Sequence, residues 1–239
     1  MGVPQVLLAT TPTPTPPHKG EGLKELQMTR EYQKGLEASL KLAPVVPVMV
    51  IENVEDAVPL ARALVKGGLP VLEITLRTAN ALDCIRAIIT EVEGAIVGSG
   101  TVLTPEQLRD SFKLGCKFAV SPGSTGRLLG AAEDYDIALL PGGVTASECM
   151  ALLEWGYTIQ KFFPAEPAGG TAYLSSLASP LPQVRFCPTG GITAELAPRY
   201  LKLSNVITIG GSWMAPKKLV EAKDWAGIEK LAREAVGMK

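Results

Sequence analysis

The stretch Ile159-Gln160-Lys161-Phe162-Phe163-Pro164-Ala165-Glu166 places a lysine within what reads as a buried β-strand, followed by a proline where strand pairing must stop. Alternation puts Ile159, Lys161 and Phe163 on one face. Burial penalises an ammonium and favours the neutral amine, the form that attacks a carbonyl. Lys161 is therefore a candidate Schiff-base nucleophile. The competing reading lays its stem along the sheet and sends the head to water or to a carboxylate. A second run, Val71-Leu72-Glu73-Ile74-Thr75-Leu76-Arg77, divides by parity. Leu72, Ile74 and Leu76 form an apolar face, which leaves Glu73, Thr75 and Arg77 on the other. Beside Lys161 these supply a base and an anion clamp for the nucleophile, although Glu73 and Arg77 alone would also suit a structural ion pair.

Small residues gather at other strand ends. Gly98-Ser99-Gly100-Thr101 and Ser121-Pro122-Gly123 leave room for a ligand, or are tight turns chosen for backbone geometry. Pro188-Thr189-Gly190-Gly191 and Gly210-Gly211-Ser212 follow the seventh and eighth strands, where barrel enzymes often bind phosphate through backbone N–H groups. Gly142-Gly143, after the fifth strand, reads as a turn.

The elements that must position these groups alternate along the chain. Strands are expected at Val45–Val50, Val71–Leu76, Ala95–Val97, Phe118–Ser121, Ile137–Leu140, Ile159–Phe163, Val184–Cys187 and Val206–Ile209. Amphipathic helical patterns separate them, the first preceded by a helix from Thr29 to Pro44 and the last running from Trp225 to Val236. Eight such units predict an α/β fold of the (β/α)8 TIM-barrel type; an open doubly wound sheet is the alternative, but it would concentrate its site at one switch point. One barrel domain over residues 28–239 fits the 239-residue length. Residues 1–27, with Thr10-Thr11-Pro12-Thr13-Pro14-Thr15-Pro16-Pro17, predict a disordered tail without the pattern of a secretory or transit signal, and Met28 is a candidate start.

Composition narrows the chemistry. A formal net charge of -1 gives no electrostatic reason to expect nucleic acid or a membrane surface as partner. Apolar runs such as Ala43 to Ile51 fall well short of the roughly 20 residues that a bilayer requires. Cys84, Cys116, Cys149 and Cys187 are scattered, which predicts reduced, packed thiols and a cytoplasmic protein. His18, the single histidine, lies in the tail, so the folded domain has none for a Ser-His or Cys-His triad or for a metal. Proton transfer falls to Lys, Glu, Asp, Tyr or Cys.

With Lys161, Glu73 and the two glycine loops in view, the chain from about Ala43 to Val236 resembles the 2-keto-3-deoxy-6-phosphogluconate aldolases, class I aldolases of the Entner-Doudoroff pathway. The blocks that carry the resemblance are Val71 to Thr78, Gly100-Thr101-Val102-Leu103, Lys161 to Glu166, Arg185 to Ile192 and Gly210-Gly211-Ser212-Trp213. The resemblance implies a homotrimeric barrel without metal or dissociable cofactor, often active on 4-hydroxy-2-oxoglutarate as well. It assigns the Schiff base to Lys161 and general acid/base work to Glu73. Arg77 and Thr101 match positions that hold the pyruvyl carboxylate, with Pro122 and Phe163 lining the site. Thr189, Gly190, Gly191, Gly210, Gly211 and Ser212 match the phosphate end, and Thr189 resembles the phosphogluconate branch. Gly143 departs from the family's more usual apolar residue. An aldolase for the 6-phosphogalactonate epimer and a non-catalytic sugar-phosphate-binding barrel are the alternatives.

Overall fold

The computed structural model describes the backbone of residues 21–238 and the side chains from residue 31 onward. The Pro/Thr-rich stretch lies outside the described residues. The strands are β1 (Val45–Met49), β2 (Val71–Thr75), β3 (Ile96–Gly100), β4 (Phe118–Val120), β5 (Ala138–Leu140), β6 (Ile159–Phe162), β7 (Arg185–Pro188) and β8 (Ile209–Gly211). The helices are α1 (Glu21–Leu40), α2 (Val54–Lys66), α3 (Ala81–Glu91), α4 (Pro105–Leu114), α5 (Gly126–Glu133), α6 (Ala146–Glu154), α7 (Gly170–Ser176), α8 (Ala197–Leu201), α9 (Lys217–Glu221) and α10 (Trp225–Val236). Helix α1 thus begins at Glu21 rather than Thr29, and residues 21–27, expected in the tail, belong to it.

Local chemistry sets several helix starts. Thr104 and Thr125 accept from backbone N–H groups at the heads of α4 and α5, and Thr145 with Glu148 forms a capping box at α6. These caps fix where each helix leaves its strand, and so hold the strand ends in place. Two apolar layers then form. The larger packs the outer strand faces, through residues such as Leu72, Ile74 and Phe162, against the helices. The smaller joins Val46, Val71, Phe118, Val120, Leu140 and Ile159 to Leu36 and Leu40 of α1, so α1 covers the ends at which the strands begin. The opposite ends, where the strands finish, are left to chemistry.

Six parallel strands in the order β5-β4-β3-β2-β1-β8 form a half-barrel, and β6 and β7 make a separate parallel pair. Isolated parallel bridges join the two sheets at Gly142–Lys161, Phe186–Val206 and Thr189–Gly210. The ladder expected to run evenly through eight strands is therefore thin at two seams. Pro141, which has no N–H to give, follows β5 directly at one of them. Val206, expected to open the eighth strand, makes only an isolated bridge, and β8 starts at Ile209.

Gln33 spans the β5–β6 seam. Its Nε2 donates to the Leu139 carbonyl at 3.0 Å and its Oε1 accepts from the Ile159 N–H at 2.8 Å. Gln33→Leu orphans one buried carbonyl and one buried N–H, two residues from Lys161 in the second case. The expected cost is about 2–4 kcal/mol, read from the urea midpoint at unchanged m-value; a loss within 0.5 kcal/mol, the range of a surface substitution, would deny the seam this role.

Candidate active site

Lys161 and Glu73 meet inside the molecule. Lys161 Nζ lies 3.1 Å from Glu73 Oε1, and the two residues are only 4% and 3% exposed. Backbone contacts hold each end of the pair. The Lys161 N–H donates to the Pro141 carbonyl at 2.8 Å, and its own carbonyl accepts from the Gly143 N–H at 3.0 Å. On the other side Lys161 is in register with Cys187 of β7. The Gly142-Gly143 pair, read from sequence as a turn, is thus part of the support of the lysine strand. A Cβ on Gly142 would stand 2.3 Å from the Pro122 carbonyl oxygen, so glycine lets the β4 and β6 neighbourhoods approach.

Glu73 sits between Val48 of β1 and Gly98 of β3 in register. Its carboxylate fills the space over Gly100, where a Cβ would come within 2.3 Å of Oε1. Gly98-Ser99-Gly100 is therefore strand, not the loop its composition suggests. Gly98 gives the same room to the Phe118 ring. Burial pushes the Cys187 thiol up to about 12, opposed by the Lys161 ammonium and aided by the Glu73 carboxylate. At neutral pH Cys187 is a protonated thiol and does not compete with the amine as nucleophile.

Thr75 donates to the Met49 carbonyl at 2.9 Å and accepts from Arg77 Nε at 3.2 Å. Arg77 itself lies past the end of β2 and is exposed, so it stands at the rim rather than on the inward face expected for it. There it lines a cavity of about 620 Å³ together with Phe163, Thr189, Gly190, Gly191, Gly210, Gly211 and Ser212. The Phe163 ring centroid is 5.4 Å from Lys161 Nζ, so the amine lies behind the Phe163 wall of that cavity. Lys161, Glu73, Thr101 and Pro122 are not among its lining residues. Thr101 follows Gly100 and adopts φ 57°, a left-handed conformation that β-branched residues rarely take; Pro122 is half-buried against Gly142.

The glycine loops owe their shape to close approach. Gly190 and Gly191 have φ of 103° and 79° and pack against Phe163 and Glu166. Gly210 leaves room for Thr189, whose buried Oγ1 lies beside the Cys187 thiol. Two walls of the cavity carry no mark in the residue pattern: Val50 to Asn53 after β1, and α9. A five-residue helix such as α9 is too short to show an amphipathic period, and its available signal is Pro216 at the N-cap.

A buried amine–carboxylate pair behind one wall of a cavity that glycine-rich backbone also lines is a layout suited to imine chemistry on a phosphorylated substrate. The family model for KDPG and KHG aldolases matches residues 36–231. The chain belongs to this aldolase family. The KHG/KDPG aldolase of Escherichia coli K12 is 51% identical over 207 residues, covering 87% of this chain and 97% of that one. A crystal structure of KDPG aldolase from Legionella pneumophila, with pyruvate captured as a covalent carbinolamine intermediate, superimposes with a TM-score of 0.82 at 43% identity, covering 84% of this chain and 97% of that one. The KDPG aldolase of Zymomonas mobilis, determined with 3-phosphoglycerate, gives 0.83 at 48% identity, with 87% and 97% covered. Among the described residues no helix is long and apolar enough to cross a membrane.

Proposed function

We propose that this chain is a class I aldolase that cleaves 2-dehydro-3-deoxy-6-phosphogluconate to pyruvate and glyceraldehyde 3-phosphate, and that it also cleaves 4-hydroxy-2-oxoglutarate to pyruvate and glyoxylate. The observation that carries the reading is the buried Lys161–Glu73 pair, 3.1 Å apart, beside the Arg77 and Phe163 rim of the cavity. Glu73 is placed to take the ammonium proton, after which the Lys161 amine attacks the C2 ketone and forms the C–N bond of a carbinolamine. Glu73 returns that proton to the carbinolamine hydroxyl, which leaves as water, so that a protonated imine and a free Glu73 carboxylate result. Glu73, directly or through a water, takes the C4 hydroxyl proton as the C3–C4 bond breaks, and that electron pair moves into the imine to give an enamine. The aldehyde leaves. Protonation of C3 and hydrolysis of the imine release pyruvate and restore the amine. The protonated imine on Lys161 is the electron sink, so the route calls for no dissociable cofactor.

Arg77 is assigned to the substrate carboxylate, with Thr101 beside it; the left-handed backbone at Thr101 supports this, because strained residues gather at ligand clamps. Pro122 and Phe163 are assigned to the pyruvyl end. Thr189, Gly190, Gly191, Gly210, Gly211 and Ser212 are assigned to the phosphate, supported by their place in one cavity and by the 3-phosphoglycerate of the Zymomonas relative. The reading includes closure of the two sheets into a (β/α)8 barrel through the three bridges, a single domain over residues 28–239 behind a disordered tail, and a cytoplasmic homotrimer.

Borohydride reduction in the presence of pyruvate, followed by peptide mapping, tests the chemistry. The expected product is a stable pyruvate-derived adduct on the peptide containing Lys161. No adduct, or one on another lysine, would remove the assignment.

A further inference from the structure

The phosphate end of the cavity presents a charge problem. Glycine-rich loops offer backbone N–H donors but no net charge, whereas Glu52, Glu55, Asp56 and Glu221 line the same cavity. A phosphate dianion entering there meets carboxylates that repel it. The cationic side chains among the lining residues are Arg77, Lys217 and Lys223. Arg77 is turned to the other end, where its Nε bonds Thr75. Lys223 is bonded to Glu55 at 3.1 Å, and that partner holds its ammonium above the usual lysine range.

Lys217 is differently placed. It opens α9, immediately after a turn in which the Ala215 N–H donates to the Ser212 carbonyl, so its Cα is fixed just beyond the glycine loop of β8. Its Nζ lies 3.6 Å from Glu52 and 3.7 Å from Glu221, both longer than a hydrogen bond, and its side chain is 73% exposed. Such a head, on a flexible four-carbon stem, exchanges partners at little cost.

We propose that Lys217 is a specificity-determining residue that supplies the positive charge for the substrate's phosphate. It leaves Glu52 and Glu221 for the anion seated on the Gly190-Gly191 and Gly211-Ser212 backbone, and favours phosphorylated over unphosphorylated keto acids. The inference rests on the aldolase reading for its substrate, but not for its charge logic.

Two measurements separate them. Inorganic phosphate is titrated calorimetrically into the wild type, Lys217→Met, Lys217→Arg and, as an exposed control on the same helix that does not line the cavity, Lys218→Met. Lys217→Met is expected to weaken phosphate binding about tenfold, the size of one lost charge-assisted contact, while Lys217→Arg and Lys218→Met stay within about threefold of wild type. In steady-state assays, the ratio of kcat/KM for the phosphorylated substrate to that for 4-hydroxy-2-oxoglutarate falls by a similar factor in Lys217→Met, chiefly through KM. Unchanged phosphate affinity in Lys217→Met, or an equal loss in Lys218→Met, overturns the proposal. A wild type that cleaves neither keto acid overturns the aldolase reading instead, and the calorimetry still decides the role of Lys217.

Discussion

Lys161→Met is expected to lower aldol cleavage by at least about four orders of magnitude, because the covalent route is lost and the rest of the pocket only binds. Lys161→Arg should be as inactive, since a guanidinium keeps the charge without giving a neutral amine. The methionine variant also has a thermodynamic consequence. Glu73 is buried at 3% exposure, and Lys161 is its salt-bridge partner. Removing one member of a buried pair costs about 3–5 kcal/mol, whereas replacing both by apolar groups of similar volume is often neutral or stabilising by about 1–4 kcal/mol. The double variant Lys161→Met with Glu73→Leu should therefore be inactive yet more stable than Lys161→Met alone. Urea denaturation of the three proteins beside their turnover reads both effects. Retention of a hundredth of wild-type kcat in Lys161→Met would end the Schiff-base assignment, and a double variant no more stable than the single would mean that the pair is not held at an energetic cost.

That pair was legible because strand parity survives without tertiary information. Glu73 and Lys161 lie on the faces that alternation gives them, and the apolar alternates Leu72, Ile74 and Phe162 join the outer core. Glycine was harder to read. Gly98, Gly100 and Gly210 look like loop residues by propensity, yet they lie in β3 and β8, since Phe118, Glu73 and Thr189 occupy the volume their side chains would take. Such a need comes from another strand, distant in sequence. The same limit hid Gly142-Gly143 as the partner of Lys161 and Gln33 as the tie across the β5–β6 seam, a bond 106 residues long in sequence on one side. Parity alone puts Arg77 one step too deep, because β2 ends at Thr75 and the chain turns before the guanidinium.

The largest effect expected from a residue without a functional group is at Gly100. Its own backbone is ordinary for a strand residue, with no left-handed φ to preserve, although Thr101 after it is left-handed. What excludes a side chain is Glu73: a Cβ would lie 2.3 Å from Oε1, 2.6 Å from Cγ and 2.8 Å from Cδ. Clashing with Cγ as well as the tip, alanine cannot be accommodated by rotating the carboxylate alone, so the whole side chain must leave its place beside Lys161. Gly100→Ala should lower kcat by about 10²–10³, the scale of a displaced general acid/base, at a stability cost of about 1–3 kcal/mol for overpacking. Gly98→Ala is the matched control. It drives a Cβ to 2.3 Å from the Phe118 ring and should cost as much stability, with a much smaller fall in kcat. Equal falls in kcat would mean that general distortion of β3, not the carboxylate, governs activity. Adding Glu73→Asp to Gly100→Ala shortens the side chain that clashes, so part of the stability should return while turnover does not, because the shorter carboxylate no longer reaches the amine.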